Sequence, residues 1–354
     1  MNTNRLLFAA ALVAPLAAFA PQLERIAFKP AAGTSLSKTF EVKQSFTMEE
    51  AEIKVNGSIQ QKPQDAEMSM SMQTSVALTD VYAAIDGGRV TRLERKYDAL
   101  TGTGNMTMDM GAFGNSSRDL KLESELEGQT VVFEWDAEKR TYVPRFGAKE
   151  GASELLIPLV EDFDLRGFVP AEGVEVGAVW KVDVVALRNV LAPGTGHSLR
   201  PERGSAERMT DMVQQNMDFA ALFEGSAART LEARFEGLRE AGGRRLAVIA
   251  LSGKVHAQHD ATEEARKGIT QPTGGGDSVP EIQKVTVDVQ IELRGELEWD
   301  LDGGHARSLR LNGTERLQQS VDLLQDFGGS RVRIEDGSTL SGPFDVVVEF
   351  QRNG

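Results

Sequence analysis

The sequence predicts a mainly β protein, built from curved antiparallel sheets or half-barrels with one or two accessory helices. Three observations carry that expectation. Apolar residues recur at every second position over long stretches, the period of a strand with one buried face. Turns rich in Gly and Asp separate these stretches. The chain has no cysteine, so its 354 residues depend on a packed core rather than on cross-links.

The clearest alternation covers 285–301. Val285, Val287, Val289, Ile291, Leu293, Leu297, Trp299 and Leu301 share one face with Gly295, and polar or charged residues take the other. At about 3.3 Å per residue this strand is unusually long, so Gly295 is expected to mark a bend or bulge. Asp302-Gly303-Gly304 then supplies a turn, and apolar positions resume at Leu309 and Leu311, completing a hairpin. The same pattern predicts strands over 40–48, 53–59 and 68–78, with 81–85 following in shifted phase across a bulge or break. Segments 129–135 and 140–146 read as a hairpin; 174–185, 230–238, 244–256, 331–334 and 344–350 complete the strands. Helical spacing occurs at 152–163, where Pro158 is set to kink or delay the helix, and at 205–223, where Met209, Met212, Val213, Met217, Ala220 and Phe223 form a stripe.

The chain divides into a leader over 1–20, a β-rich half over 21–191, a linker and helix over 192–227, and a second β-rich half over 228–354 containing a loop at 261–280. The leader has Arg5 in a short polar start, an apolar run from Leu6 to Phe19, and small residues at Ala18 and Ala20. That is the form of a secretory signal, cut after Ala18 or Ala20, and it implies a periplasmic or extracellular protein. No cysteine follows, which argues against a lipid-anchored form, and no second apolar stretch reaches spanning length. The stretches Ile85-Asp86-Gly87-Gly88 and Leu301-Asp302-Gly303-Gly304 echo one another. Two related meander halves produce such an echo, and so does ordinary hairpin grammar.

The formal charge is −14, and one unit more negative without Arg5. Such a surface repels phosphate backbones and argues against nucleic-acid partners. The segment Phe168-Val169-Pro170-Ala171-Glu172-Gly173-Val174-Glu175-Val176-Gly177-Ala178-Val179-Trp180 resembles a motif of uncharacterised secreted bacterial proteins whose domains have no assigned function. Those are similar in architecture to the lipoprotein-carrier group, in which a curved antiparallel sheet wraps around helices and holds an acyl chain. The resemblance implies a structural motif, with Gly177 at a bend and Trp180 as a large apolar anchor, and it supplies no catalytic residue.

Methionine usage is the most unusual feature. Met68, Met70 and Met72, and again Met106, Met108 and Met110, place three thioethers on one strand face. Core filling, the lining of a cavity for an apolar ligand, and a soft-metal site are the three readings of such a pattern. Together with Trp180 these methionines are the candidate cavity lining. His256 and His259 are the only clustered histidines, and on a strand they face opposite sides, so a metal site there needs the strand to end between them. His305 reads as an exposed residue beside a turn. Gly274-Gly275-Gly276 lacks the strand-to-helix setting of a phosphate loop. No G-x-S-x-G elbow occurs, and the 53 acidic residues single out no catalytic pair. No cofactor is indicated. The expectation is a non-enzymatic exported protein that binds or carries a hydrophobic, lipid-like molecule; the alternative is a structural or protein-interaction component of the cell envelope.

Overall fold

The structure, a computed structural model, describes residues 23–60, 67–109, 115–148, 151–193, 197, 199–201, 229–268, 279–327 and 329–353. Residues 1–22, the stripe at 205–223, Met110 and the glycines at 274–276 lie outside the described residues.

The strands follow the alternation, but they are longer than the sequence segments suggested. β1 (Ser35–Val55) covers the strand expected over 40–48 and only the start of the one expected over 53–59, which turns at Asn56-Gly57 and folds back as β2 (Ser58–Ile59). β3 (Glu67–Asp86) and β4 (Arg89–Asp109) form a long hairpin. The phase change expected before Val81 does not occur: the buried face runs on through Leu78, Asp80 and Tyr82, and Val81 falls on the other face. The irregularity is an extra β4 residue opposite Ala77 and Leu78. β5 (Asn115–Glu123), β6 (Thr130–Asp136) and β7 (Thr141–Phe146) complete the first wing. β8 (Val179–Lys181) is far shorter than the strand expected over 174–185, because Gly177 turns the chain with φ of 88°. β9 (Arg200–Pro201), β10 (Arg229–Ala241), β11 (Arg244–Asp260), β12 (Glu281–Asp300), β13 (His305–Phe327) and β14 (Ser330–Arg352) follow. Two short helices are present among the described residues, α1 (Arg188–Leu191) and α2 (Thr262–Gly268).

All fourteen strands join one antiparallel sheet that does not close; eleven follow the order β7-β6-β4-β3-β1-β14-β13-β12-β11-β10-β8, while β2 pairs with β1, β5 with β4 and β9 with β5. Each half contributes a meander, and β1 paired with β14 is the seam between them, from Leu36 opposite Arg352 to Val55 opposite Ile334. The strands on either side of 192–227 therefore share one sheet.

The inner face carries the core: Leu36, Phe40, Val42 and Phe46 on β1, Val287 to Leu297 on β12, and Phe344 to Phe350 on β14. Over one end of this face runs a strap, residues 151–178 and 182–193, which leaves β7 and is interrupted by the edge strand β8. It contains three single-turn 3₁₀ segments (Ser153–Leu156, Arg166–Phe168 and Val184–Leu187) followed by α1. The helix expected over 152–163 is only its first turn. Pro158 lacks the N–H that a longer α-helix needs there, so the chain turns and goes on irregularly. The strap buries Leu155, Leu159, Phe163, Phe168, Leu187 and Val190 against the sheet. At about 1.5–3 kcal/mol per buried apolar side chain, this layer matches a strand in its contribution to the core.

Sharp curvature in a wide sheet needs positions where backbones approach closely. Gly295 is one: the register runs through it unbroken, and a Cβ there would lie 2.0 Å from the Arg310 carbonyl oxygen. It marks a close approach rather than a bulge. Gly342 is the counterpart at the seam, where a Cβ would lie 1.7 Å from the Ser45 carbonyl oxygen. Gly342→Ala is therefore expected to destabilise the fold by about 1–3 kcal/mol. Urea unfolding measures this, and a midpoint unchanged from wild type would show that the seam relaxes freely.

Candidate functional site

The inner face has two regions, one under the strap and one beyond it. Under the strap lies a buried ionic clamp. Lys38, Asp80 and Arg95 stand on adjacent strands in the apolar phase, and all three side chains are fully buried. Asp80 accepts from Lys38 Nζ at 2.6 Å and from Arg95 Nε and Nη2 at 2.7 and 2.9 Å. Both cations also reach the strap: Lys38 Nζ donates to the Phe163 carbonyl at 2.9 Å, and Arg95 donates to the Val160 and Glu161 carbonyls at 2.8 Å each. Tyr82 receives the third Lys38 hydrogen bond at 2.9 Å.

Burial opposes ionisation of Asp80, but Arg95 and Lys38 outweigh it and hold its carboxyl below the usual range. Lys38 is lowered, chiefly by burial. Beside them Asp164 pairs with Arg166, which also binds Glu161 at 2.9 Å and stacks 4.4 Å from the Phe28 ring centre. His197 packs edge-on between Tyr97 and Phe163; burial lowers it to about 4, so it is neutral and acts as a core side chain.

Between β1 and the strap lies a cavity of about 320 Å³, lined mainly by Phe40, Val160, Phe163, Leu165 and Phe168, with Asp162 in its wall. Beyond the strap the inner face continues as a methionine ladder. Met68 pairs with Met108 and Met70 with Met106 across β3 and β4. Met70 is buried, whereas Met68, Met72, Met106 and Met108 are half-buried. Next in the row Gln44 stands opposite Met72 and donates from Nε2 to Glu315 Oε1 at 2.8 Å. The two side chains come from β1 and β13 and meet over β14, where Gly342, the partner of Glu315, has no side chain.

The sequence-predicted positions are thus partly assembled. The two methionine runs form one patch. Trp180 sits half-buried on β8, at the far end of the strand order from the methionines. It donates its indole N–H to the Phe168 carbonyl at 3.0 Å and does not line the cavity at Phe40. β11 runs uninterrupted through Asp260, so His256 and His259 stay on opposite faces. His256 contacts Asp288 at 2.6 Å, and no metal-binding group of three such side chains occurs among the described residues. His305, expected to be exposed, is 1% exposed: it turns inward at the β12–β13 hairpin, and its Nδ1 meets the Ala306 carbonyl at 2.7 Å. The clamp and Glu315 were missed, although each carried a signal. Lys38, Asp80, Arg95 and Glu315 are charges standing in the apolar phase, as in Leu36-x-Lys38-x-Phe40 and Leu311-x-Gly313-x-Glu315-x-Leu317.

No family model matches this chain, and no curated protein matches it. Its chemistry is therefore read from its own side chains.

Two consequences are measurable. Asp80→Asn leaves two buried cations without their carboxylate and is expected to cost about 3–5 kcal/mol. Faster amide exchange over 159–165 would accompany it, and unchanged exchange would show that the clamp does not hold the strap. Glu315 is raised to about 7, by burial, against the smaller opposing effect of Gln44. Its neutral form is thus favoured in the folded state, so stability from this group is full below about 4.5 and declines as pH rises to about 7. The loss is about 3 kcal/mol by linkage. The difference between wild type and Glu315→Gln isolates Glu315: the variant should gain relative stability from pH 4.5 to 7, and parallel profiles would contradict the assignment.

Proposed function

We propose that this chain is an exported, non-enzymatic protein of the cell envelope that binds or carries a hydrophobic, lipid-like ligand on the inner face of its open sheet. The methionine ladder carries the reading. Half-buried thioethers on the core-bearing face of the sheet give a flexible, polarizable surface that adapts to varied chains, whereas a filled core would bury them fully. The cavity beside Phe40 extends the apolar surface under the strap. A larger groove of about 960 Å³ on the other side of the sheet is walled by Glu232, Lys254, Glu292, Arg294 and Asp345, a charged lining unsuited to an alkyl chain. The signal-like leader and the resemblance of the 168–180 segment to secreted proteins support an exported location.

The alternative is a structural or interaction component of the envelope. It is favoured by Val179 and Leu238, which stand 57% and 46% exposed where β8 and β10 end the sheet.

Native mass spectrometry of the mature protein, before and after incubation with an envelope lipid extract, separates the two. The ligand reading predicts a discrete bound mass of lipid size, reduced at least tenfold when Met68, Met70, Met72, Met106 and Met108 are replaced by Ser with the fold retained. A protein that stays free of ligand throughout would reject it.

A further inference from the structure

Four acidic side chains are fully buried among the described residues, and three have a cation. Asp80 has Lys38 and Arg95, Asp164 has Arg166, and Asp300 has Arg244 at 2.6 Å. Glu315 has none. It is 3% exposed, and Gln44 is its only hydrogen-bond partner among the described residues. Its surroundings on the sheet are apolar or uncharged: Ile291 on β12, Leu317 on β13, Phe344 on β14, and Gln44 and Phe46 on β1. A buried carboxyl without a counter-charge is costly, and replacing it with an apolar residue usually stabilises a fold. Gln44 presents an N–H to it, the partner that an ionised carboxyl accepts. Gly342 adds no side chain between the two, and the Ser45 backbone approaches it closely.

We infer that Glu315, oriented by Gln44, is the head-group site of the inner face and takes the ammonium of a cationic amphiphile whose chain lies along the methionine ladder. This rests on the reading of that face as a ligand surface. Gln44 shares a row with Met72 and Gly104 across β1, β3 and β4, and the next row on the same face is Phe46-Met70-Met106, so a chain leading away from Glu315 meets thioethers. An arriving ammonium supplies the missing charge, and the carboxyl ionises against it. In a site shielded from water that pair is stronger than at the surface, and salt screens it weakly.

The test is isothermal titration of the full mature chain with decylamine, 1-decanol and decanoate, at 0.15 and 0.5 M salt. Decylamine is expected to bind at least tenfold more tightly than decanol, with decanoate weakest, and with a preference that changes less than threefold between the two salts. Glu315→Gln should remove the amine preference and leave decanol within threefold. The exchanged pair Gln44→Glu with Glu315→Gln should restore it. Glu292→Gln on the outer face should have no effect, which separates the site from attraction to an acidic surface.

Equal binding of amine and alcohol by wild type overturns the inference while keeping the ligand face, whether or not the variants fold. So does a preference that survives Glu315→Gln, or one that fades with salt. Failure of all three probes to bind overturns the ligand reading together with the inference.

Discussion

Asp80, shared between Lys38 and Arg95, ties the two layers of the molecule together. An open sheet buries only one face, and here the covering layer has little regular structure of its own: single 3₁₀ turns and the four-residue α1. Such a layer forms few internal hydrogen bonds, and its carbonyls must find donors elsewhere. Lys38 and Arg95 provide them at Phe163, Val160 and Glu161. Asp80 in turn makes the two buried cations tolerable. Sheet, clamp and strap are mutually dependent, and apolar contacts such as Phe40 against Phe163, 5.2 Å between ring centres, fill the space between them.

The second constraint is strand length. β13 and β14 each run for 23 residues, far beyond the usual strand of about six. The strap covers only part of such a sheet. The remainder of the inner face carries the methionine ladder and the Gln44–Glu315 pair. One surface therefore combines a region pinned by charge and a region lined by soft apolar side chains, and the proposed ligand belongs to the second.

Much of the sheet was legible because a half-buried strand writes its two faces into alternate positions. The run from Val285 to Trp299 fixes its own face and also the hairpin at Asp302-Gly303-Gly304. The seam was not legible: nothing local indicates that Phe40 lies opposite Val348, some three hundred residues away. The strap was illegible for a different reason. Leu155, Leu159 and Phe163 keep helical spacing and so predict a helix, but beyond the turn at Ser153–Leu156 the chain goes on irregularly past Pro158 and short turns reorient it. Lys38, Asp80, Arg95 and Glu315 were passed over because charge was read as solvent exposure. Their phase within the alternation pointed inward, and phase proved the better guide than residue type. The methionines show the converse: pattern put each run on one face, and only register showed that Met68 meets Met108 and Met70 meets Met106.

The central claim is that the inner face beyond the strap is a ligand surface. The most direct measurement is photo-crosslinking of the intact protein with an alkyl diazirine probe, followed by peptide mapping. The account predicts labels concentrated on Met68, Met70, Met72, Met106 and Met108 and on neighbouring inner-face positions such as Phe46 and Leu317. Labelling spread over the outer face, or confined to the β7 and β8 edges, would contradict it.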